Sequence, residues 1–203
     1  MTTDTEQAAR HKERAQKHKE VFEKKLAEAQ TEKGLLIVNT GSGKGKTTAA
    51  LGMGVRMLGH GMRLGIVQFI KGAIDTAERS FLSANPLCTF KTMGEGYTWN
   101  IQDLERDKKA AREAWNAAVE MIQSNAYGMV ILDELNIVLK YNYLPIDEVL
   151  SVIGNRHAKM HVVITGRHAP QELIDAADLV SEMKAIKHPY REQGIKAQAG
   201  VEF

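Results

Sequence analysis

The chain of 203 residues is short of several things, and each shortage removes a class of protein. It has one cysteine, Cys88, so no internal disulfide can form, and a reducing cytoplasmic setting is expected. It has four prolines and no low-complexity stretch, so no linker of the proline-rich kind divides it. No apolar run approaches the roughly 20 residues of a membrane-spanning helix, and the charged N-terminus lacks the apolar core of a secretion signal. No membrane partner is therefore expected. Lysine and arginine number 27 against 25 aspartates and glutamates, a formal net charge of +2, so no global basic field points to nucleic acid. What remains is a chain of ordinary single-domain length, long enough to bury a full core.

Against that background one segment stands out. The apolar run Leu35-Leu36-Ile37-Val38 leads into T-G-S-G-K-G-K-T-T at 40–48, and the sequence then continues as a helix former. A strand, a glycine-rich loop and a helix in that order present successive backbone N–H groups, and the helix N-terminus, to a single anion. The pattern points to a nucleoside triphosphate such as ATP, bound by Gly41, Ser42, Gly43, Lys44, Gly45, Lys46, Thr47 and Thr48. Lys46 would reach the outer phosphates, and the Thr47 hydroxyl would ligand the Mg2+ that travels with the nucleotide. The usual pattern begins with glycine where Thr40 stands. The bland alternative is a turn that binds nothing, but two lysines among three glycines have no packing role.

The first 33 residues differ in character. They hold no Gly or Pro, and they place Glu13 four before Lys17 and Glu20 four before Lys24, the favourable helical order. Their apolar stripe is thin, with Phe22, Leu26 and Ala29 at helical spacing. The spacing predicts a charged helix over about 5–31, stopped by Gly34, which forms an N-terminal arm or lid (1–33) ahead of the main domain (34–203). From Gly34 on, strands are expected at 35–39, 64–69, 88–92, 129–133, 161–165 and 179–185. Helices are expected at 47–58, 78–84, 101–123 (capped by Asn100), 146–153 and 170–176. Short continuous apolar runs are how strands buried on both faces of a parallel sheet read. The fold class is therefore α/β, a mostly parallel sheet covered by helices on both faces, with a ligand crevice at the carboxyl ends of its strands.

The run Met129-Val130-Ile131-Leu132 closes on Asp133 and Glu134. A buried strand ending in Asp is where a phosphate-loop protein holds the hydration shell of its metal, so Asp133 joins Thr47 as a magnesium contact. Glu134 is left to act as base, to orient a water or to bind a ribose hydroxyl. Lys71 and Arg167, in the loops after the second and fifth strands, are weaker candidates for phosphate, base or second-substrate contacts. In G-E-G-Y-T-W-N at 94–100, Tyr97 and Trp99 sit in a glycine-bounded loop, where exposed rings suit a flat apolar partner. Trp115, in register with Ala111, Ala118 and Ile122, reads as helix core.

Together these segments resemble the ATP:corrinoid adenosyltransferases that act on cob(I)alamin or cob(I)yrinic acid a,c-diamide. The resemblance runs through G-L-L-I-V-N-T-G-S-G-K-G-K-T-T-A-A at 34–50, G-H-G-M-R-L-G-I-V-Q-F-I-K-G at 59–72 and G-Y-T-W at 96–99. It continues through V-I-L-D-E-L at 130–135, Y-L-P at 143–145, V-I-T-G-R at 163–167 and I-K-A-Q at 195–198. It implies a RecA-like P-loop NTPase fold and a particular reaction. Cobalt(I) of a reduced corrinoid attacks the 5′ carbon of ATP and expels inorganic triphosphate. It further implies that Tyr97 and Trp99 lie beside the corrinoid, with Tyr97 where family members carry Phe, and that the N-terminal helix is a lid. A cytoplasmic homodimer served by a reduced flavoprotein such as flavodoxin completes the implied picture. Two competing readings use the same loop: a phosphoryl-transfer enzyme with Glu134 as base, and a non-catalytic ATP or corrinoid carrier. Both leave the loop aromatics without a task or the triphosphate unreacted.

Overall fold

The computed structural model describes residues 4–28, 30–70, 76–92 and 104–202. The chain divides into two compact units, Met1–Glu32 and Lys33–Phe203. The first unit holds helix α1 (Asp4–Glu28), whose described side chains are all exposed. Its cohesion comes from pairs one turn apart: Lys17 donates to Glu13 at 2.7 Å and Gln16 to Glu20 at 3.0 Å. The helix ends six residues before Gly34, so Gly34 is not its stop. That glycine is required elsewhere, because a Cβ there would meet the Met160 carbonyl oxygen at 2.0 Å.

The second unit alternates strand and helix: β1 (Leu36–Thr40), α2 (Lys46–Gly59), β2 (Leu64–Gln68), α3 (Ala77–Ser83), β3 (Cys88–Thr92), α4 (Leu104–Gln123) and β4 (Met129–Asp133). It continues with α5 (Leu135–Lys140), α6 (Ile146–Gly154), β5 (His161–Thr165), α7 (Gln171–Ala176), β6 (Leu179–Glu182) and α8 (Pro189–Gln193). The six strands form one sheet in the order β3-β2-β4-β5-β1-β6, parallel throughout.

Strand periodicity sorts the core into two layers. Val38, Val130, Leu132, Val162 and Ile164 pack on one face against residues of α4, α5, α6 and α7. Ile37, Met129, Ile131 and Val163, the alternate residues of the same strands, pack on the other against α2 and α3. Trp115 is 1% exposed in the first layer, and its indole N–H donates to Glu148 of α6 at 2.7 Å. Helices thus cover both faces, as the apolar runs require.

The parallel register also lines up the carboxyl ends of the strands. Thr92 pairs with Gln68, Gln68 with Asp133, Asn39 with Thr165, and Asn39 with Ser181. Below this level β1, β2 and β4 carry no polar side chain, whereas the edge strand β3 holds Thr89 and Lys91 and β5 opens on His161. At it, every strand offers a polar side chain, and that row is the floor of the site.

All six expected strands are present: β3, β4 and β5 have the expected bounds, and β1, β2 and β6 have displaced ends. The largest displacement is β6, which stops at Glu182 rather than 185. Its next residue bridges strand and loop: Met183 N–H donates to the carbonyl of Thr40, the last residue of β1, at 2.9 Å, and the loop's Gly43 N–H donates to the Met183 carbonyl at 2.6 Å. Helices α5 and α8 are additions to the sequence reading, and α4 is described from Leu104, so the proposed Asn100 cap lies outside the described residues.

Candidate functional site: a phosphate cradle above a row of polar strand ends

The loop between β1 and α2 turns at Gly41 (φ 99°) and Gly45 (φ 106°), both in the left-handed region that an L side chain rarely adopts. Gly41 is needed for a second reason: a Cβ on it would meet the Met183 carbonyl oxygen at 2.3 Å. Thr40, where the usual motif has glycine, uses its hydroxyl to accept the Ala169 N–H at 3.2 Å. That contact ties the loop to the chain following β5. Lys46 opens α2 and is 7% exposed, with its ammonium donating to the Gly43 carbonyl at 2.6 Å. Asn39, in the polar row, donates to the Lys46 carbonyl at 3.3 Å.

Asp133 is the hub of the row. Its Oδ1 accepts the Thr47 hydroxyl at 2.8 Å and the Thr165 hydroxyl at 2.7 Å, and its Oδ2 accepts the Gln68 amide at 3.1 Å. A carboxylate 3% exposed with three donors is held firmly in place and keeps acceptor capacity to spare. Thr165 works in two directions, since its oxygen also accepts the Glu134 N–H at 2.9 Å. That bond helps hold Glu134 at φ 63°, a conformation that costs about 1–3 kcal/mol in a non-glycine residue. The turn carries the Glu134 carboxylate toward Gly166, where an added Cβ would stand 3.2 Å from Glu134 Oε2. Asn136, wholly buried at the start of α5, fastens the same turn by donating to the Gly166 carbonyl at 2.9 Å.

The electrostatics follow the burial. Loss of solvent pushes the Glu134 carboxyl above the usual range; the Asp133 charge adds to the rise, while Lys46 and Arg167 oppose it. Burial likewise lowers the Lys46 ammonium; Glu134 and Asp133 counter this, while Arg167 and Lys44 reinforce it. Lys46, Asp133 and Glu134 therefore share one poorly solvated corner, with the exposed Arg167 and Lys44 acting on it from outside.

Two hollows flank the loop. One, of about 320 Å³, is lined by Thr47, Thr48, Gln68, Asp133, Glu134 and Glu202, among others. The second, of about 460 Å³, is lined by Thr40, Gly41, Ser42, Arg167 and Glu182, among others. Arg167 therefore approaches the cradle from the side of Ser42. Lys44 pairs with Glu202 at 2.7 Å. Lys71, Tyr97 and Trp99 lie outside the described residues. Gln68, Thr165, Asn39 and Glu202 were not singled out in the sequence for these roles. For Gln68 and Thr165 the available signal was their position as the polar last residue of a predicted strand or next to its end.

Comparison with known proteins agrees with this arrangement. The family described as ATP:corrinoid adenosyltransferase BtuR/CobO/CobP matches residues 32–203. The chain is 48% identical over 204 residues to the corrinoid adenosyltransferase of Pseudomonas aeruginosa, covering 100% of both chains. It is 50% identical over 198 residues to that of a Sinorhizobium species, covering 96% of this chain and 92% of the relative. It is 42% identical over 194 residues to that of Escherichia coli K12, covering 96% and 98%. Among solved structures, the flagellar accessory protein FlaH of Methanocaldococcus jannaschii superposes with a TM-score of 0.52 at 9% identity, covering 75% of this chain and 72% of that one. That likeness concerns the fold alone. The family match covers the whole sheet, the glycine loop and the polar row, and the resemblance carried by the motifs is borne out: the chain belongs to the ATP:corrinoid adenosyltransferase family.

Proposed function

We propose that this adenosyltransferase holds ATP by its triphosphate in the loop 41–48 and presents the ribose 5′ carbon to the cobalt(I) of a reduced corrinoid. Cobalt(I) supplies the electron pair of the new cobalt–carbon bond. The C5′–O bond breaks, and its pair leaves on inorganic triphosphate. No proton moves in that exchange, so the protein's tasks are to gather positive charge at the leaving group and to align the attack. Lys46 is the buried cation at the cradle. Glu134, with no base needed, accepts from a ribose hydroxyl and steadies Lys46.

Magnesium fits this donor set. Thr47 and Asp133 offer a hydroxyl and a carboxylate, hard oxygens that leave the remaining positions to phosphate and water. When bound, the ion adds charge stabilisation beside the departing triphosphate. The loop residues Ser42, Lys44 and Thr48 complete the phosphate contacts. Tyr97 and Trp99 flank the corrinoid, Lys71 and Arg167 contact one of the two substrates, and the helix of residues 1–33 serves as the lid. We assign the working form to a cytoplasmic homodimer supplied with electrons by a reduced flavoprotein such as flavodoxin.

The observation that carries this reading is the contact of Thr47 with Asp133 at 2.8 Å, in the lining of a hollow that Glu134 also lines. An anaerobic reaction of purified protein with ATP and chemically reduced corrinoid tests it. A light-sensitive alkylcobalt absorbance should appear together with inorganic triphosphate. Lys46→Ala should slow it on the order of a hundredfold or more. ADP with orthophosphate, and no alkylcobalt species, would replace this mechanism with phosphoryl transfer.

A further inference from the structure

The C-terminal segment returns to the phosphate cradle at two points that the adenosyl-transfer chemistry does not itself require. Its backbone holds the loop where Gly43 N–H meets the Met183 carbonyl, and the packing there is close enough that a Cβ on Gly43 would stand 2.9 Å from Lys184 backbone atoms. Its far end then places a carboxylate in the site. Glu202, in a turn closed by its own N–H to the Gln198 carbonyl at 2.9 Å, accepts from the Lys44 ammonium at 2.7 Å. Glu202 also lines the same hollow as Thr47, Thr48, Asp133 and Glu134. The Glu202 side chain is 20% exposed and that of Lys44 54%. The carboxylate is thus largely withdrawn from solvent, while the lysine stays free to turn.

We propose that Glu202 is a residue of the triphosphate site, an internal anion that competes with polyphosphate for Lys44. Lys44 is one position from Gly43 and two from Lys46, so a phosphate chain lying in the cradle and the Glu202 carboxylate make rival claims on one ammonium. The inference rests on the adenosyl-transfer reading and extends it to the end of the cycle. That reaction leaves a highly charged triphosphate in a cradle built to hold it, and release is commonly what limits such turnovers. A carboxylate that reclaims Lys44 weakens the hold on ATP slightly and speeds the departure of triphosphate.

Partly exposed ion pairs contribute little, so the effect is small and of fixed sign: Glu202→Gln tightens polyphosphate binding about two- to fivefold. The experiment is calorimetric titration of inorganic tripolyphosphate into wild type, Glu202→Gln, Lys44→Gln and the double variant, with tripolyphosphate inhibition constants from turnover alongside. The expected result is tighter binding and stronger inhibition for Glu202→Gln. The gain should vanish when Lys44 is already Gln. Unchanged or weaker binding in Glu202→Gln overturns the proposal, and so does a gain that persists without Lys44. A wild-type protein that binds no tripolyphosphate removes the cradle reading itself, and this inference falls with it.

Discussion

At Asp133 Oδ1 two hydroxyls converge, and the one from Thr165 comes from a residue with no solvent exposure. Replacing Thr165 with Val keeps the shape but strips a donor from Asp133 and an acceptor from the Glu134 N–H. Each buried group left unpaired costs about 1–3 kcal/mol, part of which is relieved by displacing Asp133 and Glu134. Thr165→Val should therefore lower kcat/KM for ATP about ten- to a hundredfold, and Thr165→Ser should stay within about threefold of wild type. Steady-state kinetics decide it; wild-type turnover in the Val variant would leave Thr165 a filler of the strand. Asp133 was legible because an acid closing an apolar strand is a local pattern. Thr165 and Gln68 were not, since their meeting with Asp133 depends on β2, β4 and β5 being neighbours, and that order is not written into any one segment.

At the level of elements, a titratable side chain ties the amino end of β5 to the residue that leads into β1. The Nδ1 of His161, the first residue of β5, accepts the Leu35 N–H at 3.1 Å, one residue before β1 begins. Burial, and then the Arg156 charge, hold the His161 imidazole below its ordinary value of 6.5. Arg156 cannot turn away, because it donates to the Gly34 carbonyl at 2.8 Å and to the Met160 carbonyl at 3.0 Å. Between the folded value and 6.5 the unfolded chain binds more protons, so stability is full above about 6.5 and is lost as pH falls through that window. Asp178, the carboxylate nearest Arg156, is held below 3.8 and titrates outside the window. Urea midpoints from pH 7 to 5 should fall for wild type and stay flatter for His161→Gln. Parallel slopes would sink the assignment. The elements themselves were legible in proportion to their length and pattern. Short apolar runs marked most of the six strands, whereas α5 spans 6 residues and α8 spans 5, too short to show a helical period. The early end of β6 was hidden because the Met183 carbonyl is taken by Gly43 of the glycine loop, a distant partner.

For the whole molecule, the change in composition near residue 33 and the α/β alternation could be read along the chain. The strand order β3-β2-β4-β5-β1-β6 could not, because parallel strands are joined by crossovers that do not say which neighbour comes next. The distribution of buried surface makes the two units separable in experiment. Every buried hydrophobic among the described residues falls between Leu36 and Leu173, whereas Val21, Phe22 and Leu26 of α1 are each more than half exposed. Deleting residues 1–32 therefore removes no core side chain among the described residues. The melting temperature should shift by no more than about 2 °C, the scale of a loss under 1 kcal/mol in a domain of this size. If the helix is the lid proposed for the corrinoid, the same truncation should raise KM for the corrinoid severalfold and leave KM for ATP near wild type. The two measurements separate the alternatives. A large fall in melting temperature would make α1 part of the folding unit, and an unchanged corrinoid KM would deny it the lid role. A parallel loss for both substrates would move its action to the phosphate cradle, where the described contacts come from the other end of the chain.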